Sequence, residues 1–333
     1  MSNNNLHEIA KQMVAPGKGI FATDAHGSLE KRMAKHAILF TPETRLAFRK
    51  MMYTTPGLGE YVSGVIMNNE SVRIPELVAV LVAQGILPGI KVDEGPSPMP
   101  GSANEKIVNG LDGLPRRFQE YVGFGAKFAK WRAIITIGDG IPTEANISQQ
   151  AKDLASYARV AQEAGLAPIV EPETLMDGNH TIEQCAEVTE HVLKTVFAEL
   201  KAVGIDYAGM ILKPNMIVSG KESREKITPE QVGEMTLKVL KSVVPAEVPG
   251  IAFLSGGLSE LDATANLNAI NKVGGAPWRL TFSFERALQG STMETWSGKD
   301  ENVTAAQQKL LHRAKMNSLA SMGMYSPDLE LIT

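Results

Sequence analysis

Eight short runs of β-forming residues, bounded by residues such as Gly, Pro and Asn, recur along the whole sequence. Runs of this length and composition are typical of buried strands. We predict strands at residues 19–24, 61–67, 86–92, 128–137, 167–172, 208–214, 251–255 and 279–284. Most neighbouring runs are far enough apart for a helix to lie between them, so strands and helices are expected to alternate.

Helical patterns do occupy most of these intervals. Apolar residues recur there at three-and-four spacing, with charged residues on the opposite side. The dipeptide Thr228-Pro229 is a start signal, and Gly165 and Gly204 are stop signals. Helices are predicted at 75–82, 147–164, 182–203, 229–243 and 258–273, with a last one at 303–324.

No Pro/Ser-rich linker and no shift in composition divides the 333 residues. Eight strands that alternate with helices in one unbroken chain favour a single (β/α)₈ barrel, the TIM barrel, over an open doubly wound sheet. We therefore predict an α/β protein in which residues 1–333 form one TIM-barrel domain. Residues 325–333 are predicted to be a short C-terminal tail without regular structure.

The composition argues against several functional classes. A net charge of −4 disfavours a protein that binds nucleic acid by neutralising many phosphates. The longest apolar stretch, 77–90, is interrupted by Gln84, Gly85 and Pro88 and is too short to cross a bilayer, and the first residues show no leader pattern. The six histidines form no metal-binding pattern, and the single Cys185 suits a reducing compartment. We expect a cytoplasmic protein without bound metal and without a nucleic-acid or membrane partner.

Charged residues stand in or directly after several predicted strands, where a parallel strand covered by helices should be almost entirely apolar. They are Asp24, Lys91, Lys130, Arg132, Glu171, Glu173 and Lys213. The carboxyl ends of barrel strands meet at one mouth, where active sites of this architecture are built. The pattern therefore predicts an active site. The alternative is a structural ion network in which Lys130 and Arg132 pair with Glu171 and Glu173.

Two lysines near each other in a partly desolvated site favour the uncharged amine, because burial and a second cation both oppose the ammonium. We expect Lys213 and Lys130 to form such a pair. An uncharged lysine amine attacks a ketone or aldehyde to form a Schiff base. A carboxylate in reach, Glu171 or Glu173, would then move protons during loss of water from the carbinolamine.

A second pattern predicts an anion site. Ser255-Gly256-Gly257 ends the seventh predicted strand and precedes a helix, so its backbone N–H groups can face a phosphate without an intervening side chain. Phosphate sites after strands 7 and 8 are frequent in TIM barrels. Arg286, just after the eighth strand, can supply a bidentate partner for the same anion. The alternative is a strand-to-helix turn that needs glycine for its shape alone.

Eight ordered segments resemble class I fructose-1,6-bisphosphate aldolases, from about residue 6 to about residue 326. They are APGKGI (15–20), GIKVD (89–93), GLDGL (110–114), FAKWR (128–132), PIVEPE (168–173), ILKPNM (211–216), FLSGG (253–257) and LNAINK (267–272). The resemblance implies a (β/α)₈ barrel, a homotetramer, a phosphorylated sugar as substrate and no cofactor other than the lysine Schiff base. It also implies reversible cleavage of fructose 1,6-bisphosphate to dihydroxyacetone phosphate and glyceraldehyde 3-phosphate in glycolysis and gluconeogenesis.

The resemblance also assigns roles to residues that match the family's motifs. Lys213 corresponds to the Schiff-base lysine and Lys130 to the lysine that assists the carbinolamine steps. Glu171 corresponds to the general acid/base, and Asp24 to the aspartate used around carbon–carbon cleavage. Glu173 is expected to position the lysines and Arg132 to support them. The predicted phosphate-binding residues are Ser255, Gly256, Gly257 and Arg286 at the C1 end, and Ser28, Arg32 and Lys91 at the C6 end.

The chain departs from the family pattern at three places. The loop 23–28 is one residue shorter and lacks one hydroxyl, Glu94 stands where many relatives have lysine, and Glu285 stands where many have glycine. The added negative charges are expected to weaken the binding of an anionic substrate. Three other functions therefore remain open: cleavage of another phosphorylated ketose such as sedoheptulose 1,7-bisphosphate or fructose 1-phosphate, a non-catalytic scaffold, and a metal-dependent aldolase.

Overall fold

Residues 3–331 are described by a computed structural model, and within that range the chain forms ten strands. They are β1 (Gly19–Ala22), β2 (Val62–Met67), β3 (Leu87–Lys91), β4 (Pro96–Pro98), β5 (Lys106–Val108), β6 (Phe128–Ile135), β7 (Ala167–Thr174), β8 (Ile211–Leu212), β9 (Gly250–Phe253) and β10 (Arg279–Phe284). All except β4 and β5 close a parallel barrel in the order β1-β10-β9-β8-β7-β6-β3-β2. The other two form a short antiparallel pair.

Eleven α-helices accompany the strands within the same residues. They are α1 (Asn3–Met13), α2 (Gly27–Lys35), α3 (Pro42–Tyr53), α4 (Pro75–Ala83), α5 (Leu114–Gly123), α6 (Glu144–Glu163), α7 (Ile182–Ala202), α8 (Pro229–Val243), α9 (Glu260–Val273), α10 (Arg286–Trp296) and α11 (Val303–Ser321). Thr228 caps α8 as its sequence predicts, because the Thr228 hydroxyl accepts a hydrogen bond from Gln231 N. The predicted (β/α)₈ barrel is confirmed.

The strand β8 is much shorter than the predicted run 208–214. Asp206 accepts a hydrogen bond from Ala208 N and starts a 3₁₀ turn, Tyr207–Gly209, in place of extended backbone. After Leu212 the chain leaves the ladder, although Lys213 N still donates to Val170 O at 2.8 Å. The polar turn chemistry of Asp206 therefore overrides the apolar composition of this run.

Helix α1 closes the amino-terminal end of the barrel, a role that the strand pattern does not predict. Leu6, Ile9 and Met13 follow helical spacing and pack in one buried cluster with barrel residues that include Ile20 and Phe128. Ile20 belongs to this cluster while its neighbour Phe21 belongs to the layer under the outer helices, as the alternation of a strand requires. The opposite, carboxyl-terminal end is consequently the place for an open site.

The C-terminal residues are more ordered than predicted. Pro327–Leu331 forms a 3₁₀ turn, and the Glu330 carboxylate accepts hydrogen bonds from Arg313 and, at 3.1 Å, from the Tyr325 hydroxyl. His312 Nε2 lies 2.8 Å from the other Glu330 oxygen. The prediction of a tail without structure is wrong for this turn, because a buried cation on α11 draws the carboxylate onto the domain. Residues 332 and 333 lie outside the described range.

Candidate active site

A cavity of about 300 Å³ opens at the carboxyl ends of the barrel strands. Eleven of the thirteen predicted site residues line it. They are Asp24, Ser28, Lys91, Lys130, Arg132, Glu171, Glu173, Lys213, Ser255, Gly256 and Arg286. The strands bring these residues together because parallel strands of a barrel all end at the same rim.

Lys213 is held at a fixed place between two neighbouring strands. Its backbone N donates to β7 through Val170 O, and the carbonyl of the next residue, Pro214, accepts a hydrogen bond from Leu254 N at 3.1 Å. The Lys213 side chain is 4% exposed, and its Nζ lies 3.1 Å from Glu171 Oε1. A buried amine at the cavity wall can act as a nucleophile once its proton passes to the carboxylate in contact with it.

Lys130 occupies the other side of the same carboxylate. Its Nζ lies 3.2 Å from Glu171 Oε2 and 2.8 Å from Asp24 Oδ2. The Glu171 Oε2 atom is buried and makes no aligned hydrogen bond among the described residues. It therefore retains capacity to take up or deliver a proton at the cavity wall.

Opposite charges set the protonation of this cluster. Burial alone would raise the pKa of Asp24 and of Glu171, but Lys130 and Lys213 outweigh it, so both carboxyl pKa values lie below their usual range. Burial likewise opposes the ammonium of Lys130, but Asp24 and Glu171 outweigh it and hold the Lys130 pKa above its usual value. For Lys130 the expectation of an uncharged amine is therefore wrong, because its two carboxylate partners stabilise the ammonium.

The ion network considered as an alternative to catalysis is also present. Arg132 pairs with Glu173, and Lys91 Nζ lies 2.7 Å from Asp93 Oδ1. Glu173 therefore contacts Arg132, whereas the sequence led us to expect it to position the lysines. Burial opposes the charged form of Arg132, but Glu173 outweighs it and raises the Arg132 pKa. Lys91, Arg132 and Glu173 line the cavity, so the ion network includes residues that were predicted as site residues.

The predicted anion site follows β9. Ser255 and Gly256 line the cavity, and the Ser255 carbonyl accepts a hydrogen bond from Leu258 N at 2.8 Å. Gly256 has φ +55, a left-handed conformation that favours glycine. Gly257 does not line the cavity, and a Cβ at this position would meet Lys221 Cε at 2.8 Å. Arg286 reaches the cavity from the first position of α10.

The structure does not bring Arg32 to the cavity wall. Its guanidinium pairs with Glu285 and donates to Gln289 Oε1 at 2.9 Å. This places Arg32 beside the end of β10, whereas the resemblance assigned it to the C6 end together with Ser28 and Lys91. Because β1 and β10 are neighbours in the closed barrel, Arg32 on the helix after β1 reaches Glu285 and Gln289 at the start of α10.

Two polar residues that line the cavity were not predicted as site residues. Glu285 was identified only as a departure from the family pattern, and Ser283 was not identified at all. Ser283 is buried on β10 between Phe282 and Phe284, and its hydroxyl has no partner among the described residues. A polar residue within an apolar strand was the available signal, the same one that identified the charged residues.

Residues 3–331 contain neither a membrane-spanning helix nor a metal-binding cluster. The helices there include none long and apolar enough to cross a membrane. Within the same part of the chain, no group of three His, Cys, Asp or Glu side chains is arranged to hold a metal ion.

Comparison with known proteins adds independent evidence. A model of the family described as "Fructose-bisphosphate aldolase class-I" matches residues 5–331. "Fructose-bisphosphate aldolase 2, chloroplastic" from Arabidopsis thaliana is 46% identical to this chain, covering 98% of it and 83% of the plant protein. "Probable fructose-bisphosphate aldolase class 1" from Xanthomonas axonopodis pv. citri is 45% identical, covering 98% of this chain and 99% of the bacterial protein.

The fold is similar to a solved structure as well. That structure is a ternary complex of fructose-bisphosphate aldolase from Plasmodium falciparum with TRAP and a small-molecule inhibitor. It superposes on this chain with a TM-score of 0.96 and 44% sequence identity, over 97% of this chain and 95% of the other. The similarity therefore includes the whole barrel and its rim.

Proposed function

This chain belongs to the class-I fructose-bisphosphate aldolase family, and we propose that Lys213 carries out the family's chemistry here. The protein is a lyase that cleaves fructose 1,6-bisphosphate reversibly to dihydroxyacetone phosphate and glyceraldehyde 3-phosphate. One observation supports the assignment above the others. Lys213 and Lys130 contact different oxygens of the same buried carboxylate, Glu171, at the wall of the cavity.

The first stage is formation of the Schiff base. The Lys213 amine, after passing its proton to Glu171, attacks the C2 ketone and gives a carbinolamine. Glu171 then protonates the C2 hydroxyl, which leaves as water, and the nitrogen lone pair forms the iminium. Lys130, between Asp24 and Glu171, stabilises the negative charge of both carboxylates while the proton moves.

Cleavage follows from the electron demand of the iminium. Asp24 accepts the proton of the C4 hydroxyl, the C3–C4 bond breaks, and its electrons enter the iminium to give an enamine. Glyceraldehyde 3-phosphate leaves. Return of the proton held by Asp24 to C3 of the enamine, followed by addition of water, releases dihydroxyacetone phosphate and restores the Lys213 amine and the Asp24 carboxylate. Lys213 contacts Glu171 directly, and Lys130 links Asp24 to the same carboxylate, so the groups that move protons lie close together.

The two phosphates are assigned to the two ends of the cavity. We assign the C1 phosphate to Ser255, Gly256 and Arg286, since a turn with free N–H groups and a guanidinium recognise a phosphate together. Ser28 and Lys91 are assigned to the C6 phosphate. Arg132, tied to Glu173, supports the wall between them.

We also propose that the protein acts as a homotetramer in the cytoplasm, without a metal. The resemblance to the family supports the tetramer, and the buried, unpaired thiol of Cys185 suits a reducing compartment. Light scattering on the purified protein should give four times the chain mass. Activity should be unchanged after treatment with EDTA, whereas loss of activity that added divalent metal restores would support a metal-dependent aldolase.

The test of the reaction is a comparison of ketoses with purified protein. We expect cleavage of fructose 1,6-bisphosphate, detected as glyceraldehyde 3-phosphate in a coupled assay. Faster cleavage of fructose 1-phosphate or sedoheptulose 1,7-bisphosphate would assign another preferred substrate. No turnover of any of the three would contradict the proposed function and favour a scaffold.

A further inference from the structure

Glu285 lies at the boundary between the cavity and a partly buried arginine, Arg32. It lies between the end of β10 and the start of α10, and it lines the cavity that Ser255 and Arg286 also line. Its carboxylate pairs with the guanidinium of Arg32, with side chains 23% and 15% exposed, respectively. Both residues line a second, smaller depression behind the cavity wall. Glu285 lines the main cavity as well, whereas Arg32 does not.

Arg32 is held in this position by further hydrogen bonds. Its Nη1 donates to Gln289 Oε1 at 2.9 Å, and Gln289 Nε2 in turn donates to Ala22 O at 2.9 Å. The Nη2 group donates to Glu285. The cation that would otherwise strengthen an anion site is thus neutralised and directed away from the cavity, while the acid of the pair lies on the wall.

Four charged groups on four different elements act on the Glu285 carboxyl. Arg32 on α2 and Arg286 on α10 favour its ionised form, as does Lys130 on β6, while Asp24 after β1 opposes it. Burial is the largest influence and also opposes ionisation, so the pKa of Glu285 lies above its usual value. An anion bound near this wall would disfavour the ionised form of Glu285 further.

We propose that Glu285 is a specificity-determining residue for the end of the cavity at Ser255 and Arg286. Its carboxylate pairs with Arg32 and so keeps that cation from contacting a bound anion, and it places a negative charge on the cavity wall. This end of the cavity therefore has a weaker preference for a phosphorylated ketose over an unphosphorylated one. The proposal rests on the proposed function for the identity of the ketose. The electrostatic effect itself applies to any dianion of tetrahedral shape.

A coupling to protons follows from the same contacts. A dianion at Ser255 and Arg286 favours the protonated form of Glu285, because protonation removes the charge that opposes the dianion. Binding should therefore become tighter as the pH falls through the titration of Glu285. Replacing the carboxylate by an amide should remove this dependence and leave tight binding at every pH.

Sulfate is a suitable probe, because it stays dianionic over the whole range tested and does not require turnover. Its dissociation constant is measured by calorimetry between pH 6 and pH 8 for the wild type, E285Q and E285A. The matched control is E294Q, which removes one carboxylate from an exposed position on α10, the helix that Glu285 precedes. At pH 8 we expect E285Q and E285A to bind sulfate roughly tenfold more tightly than the wild type and E294Q.

The second measurement is the selectivity between dihydroxyacetone phosphate and dihydroxyacetone as binding partners. E285Q should raise the ratio of their affinities, and E294Q should leave it at the wild-type value. Equal sulfate affinity in all four proteins, including no measurable binding, would overturn the proposal, as would an unchanged ratio. A wild type that cleaves no ketose would instead contradict the proposed function, while the sulfate result would still decide the role of Glu285.

Discussion

Lys213 and Glu171 form a buried ion pair in which Lys213 Nζ lies 3.1 Å from Glu171 Oε1. The pair joins a potential nucleophile to the group that would carry its proton. The second oxygen of the same carboxylate lies 3.2 Å from Lys130 Nζ, so both lysines pair with the Glu171 carboxylate. The following predictions test that arrangement and the fold that supports it.

Replacing Glu171 by glutamine removes the acid and keeps its shape. We expect kcat to fall by roughly 10²–10⁴, the usual contribution of a general acid or base. The substitution also removes charge from a buried network, and breaking such a pair costs about 3–5 kcal/mol, so thermal unfolding must be measured beside the kinetics. The control E187Q changes an exposed carboxylate on α7 and should alter neither quantity. A folded E171Q protein with wild-type kcat would exclude Glu171 as the proton carrier.

Gly89 tests how the barrel interior is filled. It pairs with Phe128 across β3 and β6, and a Cβ at position 89 would lie 2.1 Å from Phe128 Cε2. The variant G89A should therefore lower the free energy of unfolding by about 1–3 kcal/mol, measured by urea denaturation. The control G123A, at the end of α5 with no neighbour within 4 Å of an added Cβ, should leave stability within about 1 kcal/mol. Equal stability of the two variants would contradict this packing.

Glu330 tests whether the C-terminal turn is part of the domain. Burial opposes its ionised form, but hydrogen bonds from Arg313 and His312 outweigh that effect and lower the pKa of Glu330. Because the folded pKa is the lower one, the stabilisation is complete above the ordinary glutamate pKa of about 4.3 and is lost as the pH falls through the folded value.

The variant E330Q should therefore be less stable than the wild type by about 1–3 kcal/mol at neutral pH, and the difference should shrink in acid. The control D328N, at an exposed position of the same turn, should show neither effect. Urea denaturation at several pH values measures both. A difference between wild type and E330Q that stays constant down to acid pH would mean that the carboxylate charge does not hold the turn.

Most of the architecture follows from the sequence because strands and helices have different periods. The six predicted helices correspond to α4, α6, α7, α8, α9 and α11, and all eight predicted strands lie in the barrel. Helices α2, α3, α5 and α10 were not predicted, and neither was α1, although Leu6, Ile9 and Met13 have helical spacing. The role of α1 as a plug depends on the closed barrel, which no local pattern describes.

Most residues of the candidate site were predictable because they are charged residues in otherwise apolar strands. A charge in a buried strand is costly, so Lys130, Glu171 and Lys213 stand out against their apolar neighbours. The pairing of Arg32 with Glu285 was not predictable, because these residues are 253 positions apart and meet only where the last strand closes against the first. Sequence identifies which residues are unusual, whereas the fold decides which of them meet.

The covalent intermediate on Lys213 can be trapped directly. Dihydroxyacetone phosphate and borohydride are added to the protein, which reduces an iminium to a stable secondary amine, and the peptides are mapped by mass spectrometry. The control K213M should fold, as shown by its unfolding transition, and should acquire no adduct. We predict one substrate-sized adduct, on Lys213. An adduct on Lys130 or another lysine, or none while the enzyme remains active, would contradict the account.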